Sequence, residues 1–479
     1  MSMRTKILRA ALVAAALLLA ACGGGGGSDQ PAPVGADPVM TVGAISGFGS
    51  VHVNGVRFDT NGAQITLDGR PGSEAELHVG HVVRIDGTRS RDGRDGRASS
   101  VAFDDAVQGP VQSVDAAAGT LVVLGQRVQV DGLTSFDDRF QPASLAGIAV
   151  GALVEVSGFR DAQGVIHATR IEPKDASDAF EITGTVADHD AVAKRFDIDT
   201  LTVDYSAAQL DDLPGGAPQN GLLVEVKGDT LDANGVLRAT RVEGKRNGMD
   251  DNRDAEIEGM VTRFVSVTDF DVDGRPVTTT SGTRFEDGTS ADLALGVRVE
   301  VEGDIRNGVL IAEKVKFERE ASLRVSAEIE RIDATAGTFS VLGITIQTSA
   351  GTRFEDKTDA QVRPFDLTSL RIGDFVEVRG SPGTAPDSIA AAMVEREDAD
   401  RIELRGIAEA VAQPQLTILG VTVLTNGNTE FQDEGDNSIS SADFFARAPG
   451  RLVSVDGRLE GTVLVAREIE LEGEGSSHD

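Results

Sequence analysis

The sequence predicts an all-β chain, a tandem array of six small five-stranded barrels behind a leader and a flexible tether. Three observations carry that expectation. The pattern G-x-x-V-x-[V/I]-x-G occurs at Gly80, Gly151, Gly221, Gly296, Gly373 and Gly450, so the starts lie 71, 70, 75, 77 and 77 residues apart. A second element, A-x-x-[I/V]-x, follows about ten residues after five of them, as Ala168–Glu172, Ala239–Glu243, Ala312–Lys316, Ala391–Glu395 and Ala466–Glu470. A hairpin such as VHVNGVRF or FSVLGITI precedes each copy. Self-similarity at a fixed period is the mark of a repeated structural unit.

The leader comes first. Arg4, Lys6 and Arg9 stand before an unbroken apolar run, Ala10–Ala21. Twelve residues are too few to span a bilayer, which takes about 20, but they suit a secretory signal. The run ends in Leu19-Ala20-Ala21-Cys22, which resembles the lipobox of bacterial lipoproteins. That resemblance implies cleavage before Cys22 and lipidation of its thiol and amine. It also implies a cell-envelope address. Cys22 is the single cysteine of the chain and has no disulfide partner within it. Gly23 stands where enteric lipoproteins kept at the inner membrane carry Asp, so the resemblance favours the outer membrane. Residues 1–21 are thus the expected signal, and residues 22–38, rich in Gly, Pro, Ala and Asp, the flexible tether.

Six modules follow, expected at residues 39–107, 108–174, 180–246, 255–319, 322–397 and 401–474. Each opens on a strand such as QGPVQSV or EIEGMV, followed by the Gly-centred hairpin. In the hairpin a two-residue turn needs positive φ. The box T-x-F-x-D comes next, at Thr134, Thr283, Thr352 and Thr429, and twice it reads GTRFED, at Gly282–Asp287 and Gly351–Asp356. Its Phe is expected as a core plug at one barrel end, and its Asp as a turn or cap acceptor. A short helix or loop then leads to the G-x-x-V strand, where apolar residues alternate with Glu, Arg, Ser or Asp. That period of two suits a strand with one buried face, bracketed by turn glycines. Three strands, a short helical insert and two more strands match the order of an oligonucleotide/oligosaccharide-binding (OB) barrel. The VEVxG strand, the ATRIE strand and the T-x-F-x-D box also resemble an uncharacterised repeat domain of bacterial lipoproteins. That domain has no assigned chemistry, so the resemblance carries over no site. Module one departs most, with RSRDGRDGR at Arg89–Arg97, expected as a solvated hairpin tip.

Charge and composition narrow the function. A formal charge of −32 repels nucleic acid, and 19 Phe with one Tyr and no Trp leave no stacking platform for bases or sugars. Asp269, Asp271 and Asp273 imitate the start of a calcium loop, but Thr280 stands where a bidentate Glu is needed; the default is a hairpin strand. His78 and His81 have the spacing to begin a zinc site, but no third ligand is legible, so exposed polar histidines are expected. No nucleophile elbow, Walker loop or H-E-x-x-H is present, and neither an enzyme nor a cofactor is expected. Short charged linkers suggest modules in an extended row, a scaffold or interaction rod anchored by lipid. The alternative is a ligand-binding envelope protein that offers OB-like faces to a glycan or a divalent-cation-dependent partner.

Overall fold

The computed structural model describes residues 37–175, 179–245, 248–251, 253–399 and 401–473. Module five shows the plan. Its first strand, Leu323–Asp333, pairs antiparallel with the second, Thr338–Val341, and also with the fourth, Phe375–Pro382. The third, Ile344–Gln347, runs parallel to the fifth, Ser388–Glu397, which pairs antiparallel with the fourth. The order first-second-third-fifth-fourth-first closes on itself and is that of the OB barrel. The same cycle returns in the other five modules, with the first strand of module three split at Val186. Asp37 and Pro38, expected in the tether, already belong to the first strand of module one, paired with Arg89 and Thr88.

The two glycines of G-x-x-V-x-[V/I]-x-G do different work. The first has φ between 73° and 90° in all six copies, and its N–H donates to the first strand, as Gly373 N does to Ile329 O at 2.9 Å. The last is not a turn residue, contrary to expectation. It sits at a register shift where the fourth strand bulges against the fifth. A Cβ there would be driven into a fifth-strand carbonyl oxygen, that of Ile311 in the case of Gly303 and of Val465 in the case of Gly457. Backbone approach, not turning, therefore requires this glycine.

The T-x-F-x-D box is a short strand lying parallel to the second half of the fifth strand. Its constant feature is the Thr. Each hydroxyl donates to the carbonyl of the Ala that opens A-x-x-[I/V]-x: Thr134 to Ala168, Thr283 to Ala312, Thr352 to Ala391 and Thr429 to Ala466, at 2.6–2.8 Å. Each also accepts the N–H three residues upstream. Phe136 and Phe354 are buried as plugs, whereas Phe285 and Phe431 are only half-buried. The insert that follows is a 3-10 turn in four modules and an α-helix, Ser441–Arg447, in module six.

The modules do not form the extended row expected from their linkers. Within each barrel the start of the first strand pairs with the fourth, and its other edge is open until the second strand begins. That edge pairs with the first strand of another module. Modules two and three join through Val107 and Ile182, and modules five and six through Val325 and Leu404, both antiparallel. Modules one and four join in parallel, Val39–Val42 against Asp254–Ile257. An open strand edge is a free template, and pairing the six edges in three couples removes it. The cores follow the couples: one continuous apolar cluster runs through modules five and six, another through two and three. Met40 and Val42 of module one belong to the core of module four.

A bulge glycine cannot take a side chain, so Gly303→Ala is expected to lower stability by about 2–3 kcal/mol. Gly427, with open space around its α-carbon, is the control: Gly427→Ala stays within about 0.5 kcal/mol. Urea unfolding midpoints of the two variants check this.

Candidate functional site

A cleft of about 670 Å³ lies where modules one, two and five meet, among Phe48, His78, Asp137, Arg139, Arg170, Glu355 and Arg363. The boxes of modules two and five face each other across it. Arg353 Nη1 donates to Leu133 O at 3.0 Å and Lys357 Nζ to Phe136 O at 2.6 Å, while Lys357 pairs with Asp138 at 3.1 Å. Module one closes the third side: the Arg363 guanidinium donates to Leu77 O and Glu74 O at 2.8 and 2.7 Å and lies 3.3 Å over the Phe48 ring. GTRFED thus has two fates. In module five Arg353 and Asp356 are buried in this junction; in module four Arg284, Glu286 and Asp287 are exposed.

The knot beside the cleft is Glu172, from the ATRIE strand Ile166–Pro173. Its carboxylate accepts from His78 Nδ1, from Arg170 Nε at 2.7 Å and from His81 Nε2 at 3.2 Å, joining module two to module one. Around it, Thr169 Oγ1 donates to Gly80 O at 2.6 Å, Arg170 Nη1 to Val79 O at 3.1 Å, and Val82 N to Ser157 Oγ at 2.8 Å. Burial opposes the charge on Glu172, but Arg170 and the two histidines outweigh it and hold the carboxyl well below the usual range. Burial likewise lowers His81 to about 4, against the pull of Glu172.

His81 is therefore not the exposed polar histidine expected. It is 2% exposed and stacks on Phe103 at 4.1 Å. His78 and Glu172 lie near enough to complete a three-ligand set with it, but the tautomer opposes a metal there. His81 Nδ1 accepts the backbone N–H of His78 at 3.2 Å, which leaves the ring proton on Nε2, the atom that would ligate. A metal-bound imidazole instead donates through its other nitrogen. The trio is a hydrogen-bonded joint.

The other candidates fall elsewhere. Asp269 and Asp271 both bind the Arg263 guanidinium, at 2.6 and 2.8 Å, and Asp273 occupies the hairpin turn, paired with Arg275. The three do not converge on a point. Cys22 lies outside the described residues. Arg89 is not a solvated tip residue: it reaches module four, 2.6 Å from Glu302 and 3.6 Å from Glu256. The polar positions of the fourth strand also depart from expectation. Glu155, Glu225, Glu300 and Glu377 are buried, because neighbouring modules or lysine and arginine stems cover the face expected to meet water. Their recurrence as V-E-V in four of six copies was the available signal, since a merely solvated position has no reason to keep one residue type.

The chain matches the family described as "Domain of unknown function (DUF5666)" in six places, over residues 41–102, 108–172, 183–243, 258–316, 327–395 and 405–470. No curated protein matches it.

The burial of His81 has a consequence in pH. Its folded pKa lies below the unfolded 6.5, so the stability it contributes is complete above that value and is lost as pH falls toward 4. His81→Gln cannot titrate. Relative to the parent, this variant should gain about 2–3 kcal/mol between pH 7 and pH 4, read as the difference of two unfolding curves at each pH.

Proposed function

Because the chain belongs to the DUF5666 family, whose domain it carries six times over and whose function is unknown, we propose its role from its own geometry: a non-enzymatic, lipid-anchored envelope protein whose barrels form one interaction body. The parallel pairing of Val39–Val42 with Asp254–Ile257 carries this reading. It returns the fourth module to the first and replaces a rod with a clustered body, in which contacts between modules bury side chains that a string would leave in water. The anchor rests on Leu19-Ala20-Ala21-Cys22 and the glycine-rich tether behind it. Several acyl chains on Cys22 would give stable attachment where one would not. The outer membrane is the membrane proposed, from Gly23.

A second reading, ligand binding, is favoured by the cleft between modules one, two and five. Its volume falls in the range of small-molecule sites, which often sit where domains meet. The ligand would be polar, such as an envelope glycan, held by hydrogen bonds from Arg139, Arg170 and Gln361 rather than by aromatic stacking.

The anchored-body reading predicts two results. Radiolabelled palmitate enters the parent chain and not Cys22→Ser. Small-angle scattering from the secreted Cys22→Ser chain gives a radius of gyration of about 23–30 Å, not the roughly 50 Å of six barrels end to end.

A further inference from the structure

At the seam between modules one and three, three carboxylates converge from separate stretches of chain. Asp68 follows the short strand Gln64–Leu67; Asp105 lies between Phe103, the end of module one, and Val107, the start of module two; Glu181 is in the first strand of module three, Phe180–Thr185. One carboxylate oxygen of each lies within 4.8 Å of the other two. The backbone fixes part of this: Asp105 N donates to Asp68 Oδ1 at 3.1 Å.

Asp105 is the unexplained member. It is 3% exposed, and its Oδ2 has no hydrogen-bond partner among the described residues. Glu155, Glu225 and Glu256 are buried acids that also keep an oxygen without a hydrogen bond, yet each has a lysine or arginine within ion-pair distance. Asp105 has none among the described residues. A buried carboxylate without a counter-charge is among the costliest groups a fold can hold. Its neighbours aggravate this: burial first, then Asp68 and Glu181, push Asp105 well above the ordinary range, and Glu181 itself is pushed up to about 7. The adjacent ammonium, Lys227, is already committed to Glu181, to Glu225 at 3.2 Å and to Asp68 O at 2.9 Å. Fully ionised, three carboxylates beside one ammonium would be short of two positive charges.

We propose that Asp68, Asp105 and Glu181 bind one calcium ion, which ties module one to module three. The ligand set is all oxygen, the preference of hard divalent cations, with neither the imidazole nor the thiolate that zinc favours. Calcium–oxygen bonds of about 2.3–2.6 Å put two ligands on opposite sides of the ion about 4.6–5.2 Å apart, and the spread of these oxygens falls inside that limit. Magnesium suits the site less: it binds through one or two carboxylates and keeps most of its water, whereas calcium accepts irregular carboxylate sets. A dication supplies the two missing charges and gives Asp105 Oδ2 a partner. Asp269, Asp271 and Asp273 differ, because each already has an arginine partner in Arg263 or Arg275.

The test is calorimetric titration of the full mature chain carrying Cys22→Ser, stripped with chelator at neutral pH, with calcium chloride and separately with magnesium chloride. One calcium per chain is expected, with Kd between about 10⁻⁵ and 10⁻³ M, and a rise in unfolding temperature on adding calcium. Asp105→Asn and Asp68→Asn keep the shape of each side chain and should weaken calcium at least tenfold while leaving the calcium-free unfolding temperature unchanged or higher. Asp271→Asn should bind as the parent does. The proposal is overturned by absence of binding at millimolar calcium, by binding that survives both substitutions, or by magnesium binding as tightly as calcium.

Discussion

The structure depends on the first strand of each barrel, which must serve two partners on one edge. Its start is pinned to the fourth strand, and its end turns into the second-strand hairpin. Along that start, the edge turned away from the fourth strand carries N–H and C=O groups that no strand of the same barrel pairs. A single OB module in water can leave such an edge to solvent, but six in one chain make six templates for misassembly. Here the edges satisfy one another in couples, and the couples set everything larger. Sequence neighbours two and three, and five and six, share both an edge and a continuous core. Modules one and four, separated by two whole domains, meet in parallel, and the side chains of Met40 and Val42 complete the core of module four.

Once the couples form, their outer faces are polar and must still pack. That explains the density of buried charge. Glu172, Arg170, Arg353, Glu377 and Arg379 lie in seams between barrels or beside them, each with partners of opposite sign or backbone carbonyls. Such networks add little net stability after desolvation is counted, but breaking one partner is costly. Arg89 of module one, for example, reaches Glu256 and Glu302 of module four. Many of the buried acids have a lysine or arginine within ion-pair distance, whereas Asp105 has none among the described residues, which makes a bound cation attractive.

Much of this was legible in the sequence, and the division has a physical cause. The period, the five strands, the turn glycines and the barrel order are local properties, set by backbone geometry and by alternation along a strand. They read out at Gly80 or Gly373 without knowledge of any neighbour. The second glycine was misassigned because a bulge and a turn both demand glycine, and only the partner strand tells them apart. His81, Arg89 and V-E-V were read as solvent-facing because a polar residue in an alternating strand ordinarily is. Their burial comes from a second barrel or, as at Glu300, from lysine stems laid across the strand, and neither follows from the alternation of one strand. The same limit applies to the acidic triplets. Asp269, Asp271 and Asp273 stood out by spacing, yet two arginines absorb them; Asp68, Asp105 and Glu181 share no local motif and meet only after three chain segments fold.

The coupling of modules one and four is the claim on which the account stands, since no local signal predicts it and a string of barrels would lack it. The most direct measurement is a disulfide across that joint. Val39 and Asp254 are register partners on the parallel strands, so their α-carbons are close enough for a bond between cysteines. In the Cys22→Ser chain, Val39→Cys with Asp254→Cys should oxidise to a monomer, and mass spectrometry should recover one peptide linking positions 39 and 254. Free thiols after oxidation, or linkage only between separate chains, would contradict the account and return the protein to a string of independent barrels.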